Sequence, residues 1–368
     1  MDPGQDRDAW RERYRRGFFL APMVRVGTLP MRLLSLQYGA DLVWTCEVID
    51  KSIVGCTRTV DDKTGAISYM KNDRTMFTTH PDEKAKVVFQ MGAASPELAA
   101  KAAQAVEQDV SGIDLNCGCP VKFSVHGGMG AALLDDPDRL CAILTALVQS
   151  VSIPVTCKIR VLPDEEQTLA LVRRIAATGI SALTVHCRTR DMRPREPAMW
   201  HRLDAIVREV APLPVVLNGD VFAYDDVRRG MEATGACSAM TARGAAANPS
   251  IFSKDGPVAR LEACAEYVKA AVRVSNAYHN TKYTLMQMHP ETRSDTFRRL
   301  QGSRCYADMC AAMGLADFYE SEGRHLVNSR AEPTPKRKGA GKRRDQDPTS
   351  DVPTAADTAN TPPKRLKA

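Results

Sequence analysis

Between residues 17 and 242 the chain repeats one pattern. A short, almost wholly apolar run breaks at Gly, Pro, Asn or Asp, and a longer stretch with apolar residues at helical spacing follows. The apolar runs predict strands at 17–21, 42–47, 87–92, 113–116, 154–159, 181–186, 214–217 and 236–242. Helices are expected over 30–37, from the Ser95-Pro96-Glu97 start, and over 137–149, 164–178, 200–210 and 224–233. Serine before proline is a strong amino-terminal signal, because the serine hydroxyl caps a free backbone N–H and proline lacks one.

Strands that are apolar on both faces and alternate with helices are buried parallel strands. Eight of them predict an α/β protein of the TIM barrel type, (β/α)8. A doubly wound sheet is the runner-up, but it calls for Gly-x-Gly-x-x-Gly after the first strand, which this chain lacks. Residues 50–83 are irregular, with turn signals at Thr64-Gly65 and Lys71-Asn72-Asp73, and read as an elaborated loop or small hairpin excursion. Beyond residue 257 the pattern is wholly helical to about 319. From 331 the composition shifts to Pro, Thr, Asp, Lys and Arg, which cannot build a core. The expected division is a polar arm at 1–16, a barrel at 17–256, a small all-helical domain at 257–328 and a disordered basic tail at 329–368.

Composition narrows the picture modestly. Apolar residues make up 44% of the 368, enough for a sizeable core. A net charge of +6 and a pI near 8.7 permit an anionic partner without demanding one. The first 16 residues are charged rather than signal-like, and no apolar run reaches a membrane span. Eleven cysteines at irregular spacing, in a chain too large to need disulfide staples, are expected to be reduced thiols in a cytoplasmic protein.

The carboxyl ends of the predicted strands carry the candidate chemistry. They supply Ala21-Pro22-Met23, Glu47, Gln90, Asn116 with Cys119, Lys158 with Arg160, His186 with Arg188 and Arg190, Asn218-Gly219-Asp220, and Ala242-Arg243. In barrels these ends form the active mouth, and the seventh and eighth commonly hold a phosphate through backbone N–H groups and a helix start. Each residue alone has a plain structural explanation. Together they place amide, cationic and imidazole groups around one mouth. Lys158 suits an electron-rich ring and Gln90 the edge of a heterocycle, so the set favours flavin mononucleotide (FMN) over a metal. No His-x-His pair or carboxylate cluster stands at the strand ends, and no metal is expected.

Cys119 follows the fourth predicted strand. A lone cysteine is usually a small buried hydrophobe, and Cys117-x-Cys119 is too closely spaced for a zinc site. Near neutrality a thiol still carries its proton and can donate it opposite a hydride. A nucleophilic role would require an imidazole base, for which His126 and His186 both stand as candidates.

Several stretches, in order across residues 17–320, closely resemble the tRNA-dihydrouridine synthases, nearest their eukaryotic type 2 branch. They include Leu20-Ala-Pro-Met-Val-Arg25, Phe89-Gln-Met-Gly92, Asp114-Leu-Asn-Cys-Gly-Cys-Pro120, Gly127-Gly-Met-Gly-Ala-Ala-Leu-Leu134, Thr156-Cys-Lys-Ile-Arg160, Asn218-Gly-Asp220 and Ala312-Met-Gly-Leu315. The resemblance implies an FMN barrel and a helical domain that together grip tRNA. It further implies that NADPH reduces the flavin, that the flavin passes hydride to C6 of an extruded D-loop uridine, at position 20, and that a cysteine acid protonates C5. By motif position Cys119 is that acid. Ala21, Pro22, Met23, Gln90, Lys158, His186, Asn218, Gly219, Asp220, Ala242 and Arg243 would line FMN, with Glu47 near it. Asn116, Arg160, Arg188 and Arg190 would meet the tRNA.

The chain departs from the family pattern at Cys187, where Gly is usual, and its Cβ is expected to crowd the flavin phosphate or shift the loop. Some members of the branch carry a double-stranded-RNA-binding domain after the helical one; here the tail leaves no room for it, so grip is expected to rest on barrel, helical domain and tail. The basic runs 335–338, 342–344 and 364–367 suggest nuclear import or RNA affinity. A monomer is expected. The competing readings are a flavin barrel reducing a C=C bond in a small molecule, and an RNA-binding protein without turnover.

Overall fold

A computed structural model describes residues 3–328. The basic runs of the tail lie outside the described residues. Contacts divide the chain into two compact units between Val258 and Ala259.

The first unit holds twelve strands: β1 (Phe18–Leu20), β2 (Leu42–Trp44), β3 (Val48–Ile49), β4 (Thr57–Val60), β5 (Ile67–Lys71), β6 (Arg74–Thr79), β7 (Val87–Gly92), β8 (Gly112–Cys117), β9 (Val155–Arg160), β10 (Ala182–His186), β11 (Val215–Asn218) and β12 (Ser238–Thr241). The sheet runs β2-β1-β12-β11-β10-β9-β8-β7, and β7 pairs back with β2, so eight parallel strands close into a barrel. Helices alternate with them, as in the TIM barrel. Ser95, Asp136 and Asp164 each accept from a backbone N–H one turn on, at 3.3, 3.1 and 2.7 Å, and so start the helices Pro96–Val106, Pro137–Ser150 and Glu165–Ala177.

Tyr14, Phe19, Leu42, Trp44, Val88, Ala182, Val216 and Met240 fill the interior. Tyr14 comes from the segment expected to be a polar arm. Its ring packs edge-on to Phe19 and Trp44, with centroids 6.5 and 6.4 Å away. The arm therefore lends the barrel an aromatic plug.

The second predicted strand stops short of 47. Thr45 Oγ1 accepts the N–H of Gln90 at 2.9 Å, so a side chain replaces a ladder carbonyl and releases Cys46 and Glu47 toward the mouth. Residues 57–79 form a three-stranded antiparallel sheet, β4-β5-β6, with the predicted turns between its strands; Gly65 and the Asn72-Asp73 pair have φ of +71°, +49° and +57°. Its far end is tied down by Arg32, whose guanidinium grips buried Glu83 at 2.9 and 2.7 Å and also donates to Gly27 O and Thr78 O.

The second unit is helical. Arg260–Arg273, Tyr278–Met288, Asp295–Gly302 and Tyr306–Ala312 surround a core that includes Tyr267, Val268, Leu285, Met288, Leu300 and Met309. Among the described residues no helix is long and apolar enough to cross a membrane.

Candidate active site

Strand register sets the site. In a parallel sheet, paired residues point to the same side, and so do residues two apart. Gln90 pairs with Asp114 and Asp114 with Thr156. One step higher Asn116 pairs with Lys158, and His186 pairs with both Arg160 and Asn218. Polar side chains therefore ring the interior above the aromatic core.

A pocket of about 240 Å³ opens there, lined by Ala21, Pro22, Val24, Glu47, Gln90, Asn116, Gly118, Cys119, Pro120, Lys158, Arg160, His186, Asn218 and Ala242. A second lobe of about 220 Å³ shares Arg160, His186, Asn218 and Ala242 and continues to Arg188, Gly219 and Arg243. The result is one elongated site with a polar ring-sized end and a cationic end.

Cys119 is held by its own loop. Asn116 Oδ1 accepts the N–H groups of Gly118 and Cys119 at 3.0 and 3.2 Å. Ala131 N donates to Cys119 O at 2.9 Å. Gly130, at φ +60°, lies so close that a Cβ there would sit 2.7 Å from that carbonyl. A helix Lys122–His126 and a 3₁₀ segment Gly130–Asp135 follow Cys119. Arg160 spans the mouth, donating to Gly118 O and Thr189 O, both at 2.9 Å.

The electrostatics are uneven. Burial first, then the nearby Arg160, lowers the Lys158 ammonium to about 8, with Asp114 opposing. Burial also pushes Asp114 up to about 6, against hydrogen bonds from Thr156 and Gln90, and raises Glu47, whose Oε1 is buried without a partner beside the pocket. His186 is held far below the usual imidazole range by burial and then by Lys158, Arg160, Arg188 and Arg243. It is neutral. Arg188 can only donate, so at 3.3 Å the Nε2 of His186 accepts and its proton sits on Nδ1.

At the cationic end, Asp220 bridges Arg188 and Arg243, the latter at 2.7 Å. Burial alone would raise the Asp220 carboxyl, but the Arg188 hydrogen bond, the Ala198 N–H and the two cations outweigh it and hold it low. Two guanidinium groups against one carboxylate leave a positive surplus that suits a phosphate. Gly219, at φ +115°, forms a cradle, since a Cβ there would lie 3.0 Å from Ala198 Cβ and 3.2 Å from His186 Cδ2. The helix after β12, Arg243–Ala247, is a single short turn, so side chains and the Gly219 cradle, rather than a long helix, shape this end.

Most of the sequence-named residues meet here. Met23 does not line either lobe; its carbonyl accepts Gly27 N at 2.8 Å and Cys46 Sγ at 3.1 Å and shapes the first loop. Arg188, expected to meet RNA, is 3% exposed and committed to Asp220 and to Glu196 O. Arg190 stands apart, paired with Asp135 at 2.6 Å beside a separate cleft of about 600 Å³ that holds none of the other groups. Cys187 directly follows β10, is fully buried and lines neither lobe. Asp114 and Thr156, which do not stand at the strand ends, share the face of Asn116 and Lys158 through their two-residue spacing. Among the described residues no cluster of His, Cys, Asp and Glu is arranged to hold a metal.

A family model described as dihydrouridine synthase matches residues 19–329. The chain is 44% identical over 327 residues to the tRNA-dihydrouridine(20) synthase [NAD(P)+] of Schizosaccharomyces pombe, covering 86% of this chain and 67% of that one. It is 40% identical over 294 residues to the Saccharomyces cerevisiae protein of the same name, covering 74% and 76%. A Schizosaccharomyces pombe tRNA-dihydrouridine(20a/20b) synthase [NAD(P)+] is 36% identical over 241 residues, covering 63% and 67%.

Proposed function

This chain belongs to the dihydrouridine synthase family, and from that premise we propose that it reduces uridine 20 of tRNA to 5,6-dihydrouridine, using bound FMN and NADPH. The observation that carries the reading is the convergence of Cys119, Lys158 and Gln90 on one pocket whose far end is a cationic cradle.

The residues fit the cofactor. Arg188, Arg243 and the Gly219 cradle suit its phosphate, while Gln90 and Lys158 suit the polar edge of its ring. When bound, FMN supplies hydride to C6 of the uracil and is re-reduced by NADPH.

The protein's part is orientation and proton delivery. The Asn116-set loop presents Cys119 at the pocket, where its S–H bond breaks as a C–H bond forms at C5 of the uracil. The thiolate left behind would share the pocket with Lys158 and Arg160. Solvent then returns the proton. Among the described residues neither His126 nor His186 is hydrogen-bonded to Cys119, and Arg188 already holds Nε2 of His186, so general acid chemistry is favoured over a nucleophilic cysteine. Glu47 and Asn116 line the same pocket and are assigned to the uracil edge. Reaching that space requires the base to leave its stack. Arg160 at the mouth and Arg190 on the outer face, with the helical unit, are assigned to the RNA backbone. The same reading makes the protein a cytoplasmic monomer, with the basic tail available for nuclear import.

The test is dihydrouridine formation in unmodified tRNA treated with full-length protein, FMN and NADPH, comparing wild type with Cys119→Ala. Product with wild type and a loss of about a hundredfold or more in the variant is expected. A yellow, NADPH-reducible protein that leaves tRNA unchanged and reduces a small enone instead would overturn the tRNA assignment.

A further inference from the structure

Asp114 is fully buried, and Thr156 and Gln90 donate to its two carboxylate oxygens. Thr156 Oγ1 donates to Oδ1 at 2.6 Å, and Gln90 Nε2 donates to Oδ2 at 2.8 Å. The three residues stand side by side on β7, β8 and β9, so the arrangement is built into the register. Gln90 itself lines the pocket, with its backbone N–H fixed on Thr45 Oγ1.

An amide side chain presents either a donor or an acceptor, depending on a rotation that costs little by itself. A carboxylate only accepts. Asp114 therefore claims the NH2 end of Gln90 and leaves Oε1 for the pocket. The polar edge of a flavin ring carries one imide N–H between two carbonyls. An acceptor opposite that N–H binds it, and a donor there would face another donor.

Resting on the flavin reading above, we propose that Asp114 is a positioning residue that fixes the Gln90 amide with its oxygen toward the pocket, so that the site selects a heterocycle bearing an imide N–H. The nearby Lys158 gains from the same carboxylate, which favours its charged form. Asp114 touches neither lobe directly and acts through Gln90.

The test compares dissociation constants of FMN and 3-methyl-FMN, which lacks the imide N–H, titrated into flavin-free full-length protein. Wild type is expected to favour FMN by about tenfold, the scale of one hydrogen bond whose loss leaves a buried group unpaired. Asp114→Asn offers Gln90 either a donor or an acceptor, and the preference shrinks to about twofold or less. The double variant Asp114→Asn, Gln90→Glu restores an oxygen at the pocket, because the new amide can donate to one Glu oxygen, and it recovers the preference. Wild type binding both flavins equally, or Asp114→Asn retaining the full preference, overturns the inference while leaving the flavin reading in place. If Asp114→Asn does not fold, the double variant decides: a folded double variant without preference also overturns it. A wild-type protein that takes up neither flavin overturns both.

Discussion

The backbone N–H of Cys119 lies 3.2 Å from the side-chain oxygen of Asn116, three residues behind it on the end of β8. The same oxygen holds Gly118 N at 3.0 Å, so one amide turns the chain and aims the thiol. Asn116→Ala removes that restraint without opening the core. Turnover is expected to drop by about a hundredfold, the usual cost of a misplaced reacting group, with the circular dichroism spectrum unchanged. Turnover within a factor of about two of wild type would show that the loop holds Cys119 without Asn116.

Lys158 has its ammonium lowered to about 8, so the cation that faces the flavin edge and the Cys119 thiolate is lost as pH rises through that value. Single-turnover rates are expected to decline above pH 8. Lys158→Arg, whose guanidinium stays charged, moves the decline upward, and Lys158→Met removes this limb together with most of the rate. The stability consequence has the opposite sign. Between about 8 and the ordinary lysine value of about 10.4 the unfolded chain binds the extra proton, so this group adds stability as pH rises. Alkaline loss of rate with an undiminished melting temperature separates the two effects; a rate that stays flat to about pH 9.5 removes Lys158 from the reaction.

Gly219 sits at φ +115° with Ala198 and His186 closing around its Cα. Gly219→Ala is expected to weaken FMN binding by about tenfold or more, since a left-handed alanine costs about 1–3 kcal/mol and its methyl occupies the cradle. Fluorescence titration with FMN reads the change. Affinity equal to wild type would place the phosphate elsewhere.

Arg32 and Glu83 are 3% and 0% exposed in their side chains and form a two-pronged pair at 2.9 and 2.7 Å, with Thr79 Oγ1 also donating to Glu83 at 2.7 Å. Arg32→Met strands a buried carboxylate and is expected to cost roughly 3–5 kcal/mol in urea unfolding. Arg32→Met with Glu83→Leu should recover much of that loss. A double variant as unstable as the single one would mean the cost comes from packing rather than from the uncompensated charge.

The barrel was legible because its strands are apolar on both faces and end in Gly, Pro, Asn or Asp. The strand-end list was legible for the same reason, since the carboxyl end of every barrel strand faces one mouth. Three elements escaped. β2 ended early because Thr45 Oγ1 stands in for a backbone acceptor, a substitution no periodicity reveals. Tyr14 looked like part of a polar arm because its neighbours are charged, while its own ring enters the core. The helix Lys122–His126 was hidden behind the glycines that flank it.

What the sequence determined by itself is which residues can reach the mouth: Cys119, Lys158, His186, Asn218 and their neighbours follow from strand periodicity and closure. What only the tertiary structure decided is how each is held once there. Arg188 is drawn inward by Asp220, thirty-two positions away, and is buried at the cationic end of the pocket. Arg190, two residues on, remains outside with Asp135. Cys187, next to His186, is fully buried and lines neither lobe. Asp114 settles which end of Gln90 meets the ligand, because β7 and β8 happen to align those two residues. Reach depends on local pattern, which the chain encodes within a few residues. Orientation, charge state and hydrogen-bond polarity depend on partners that only the closed barrel brings together.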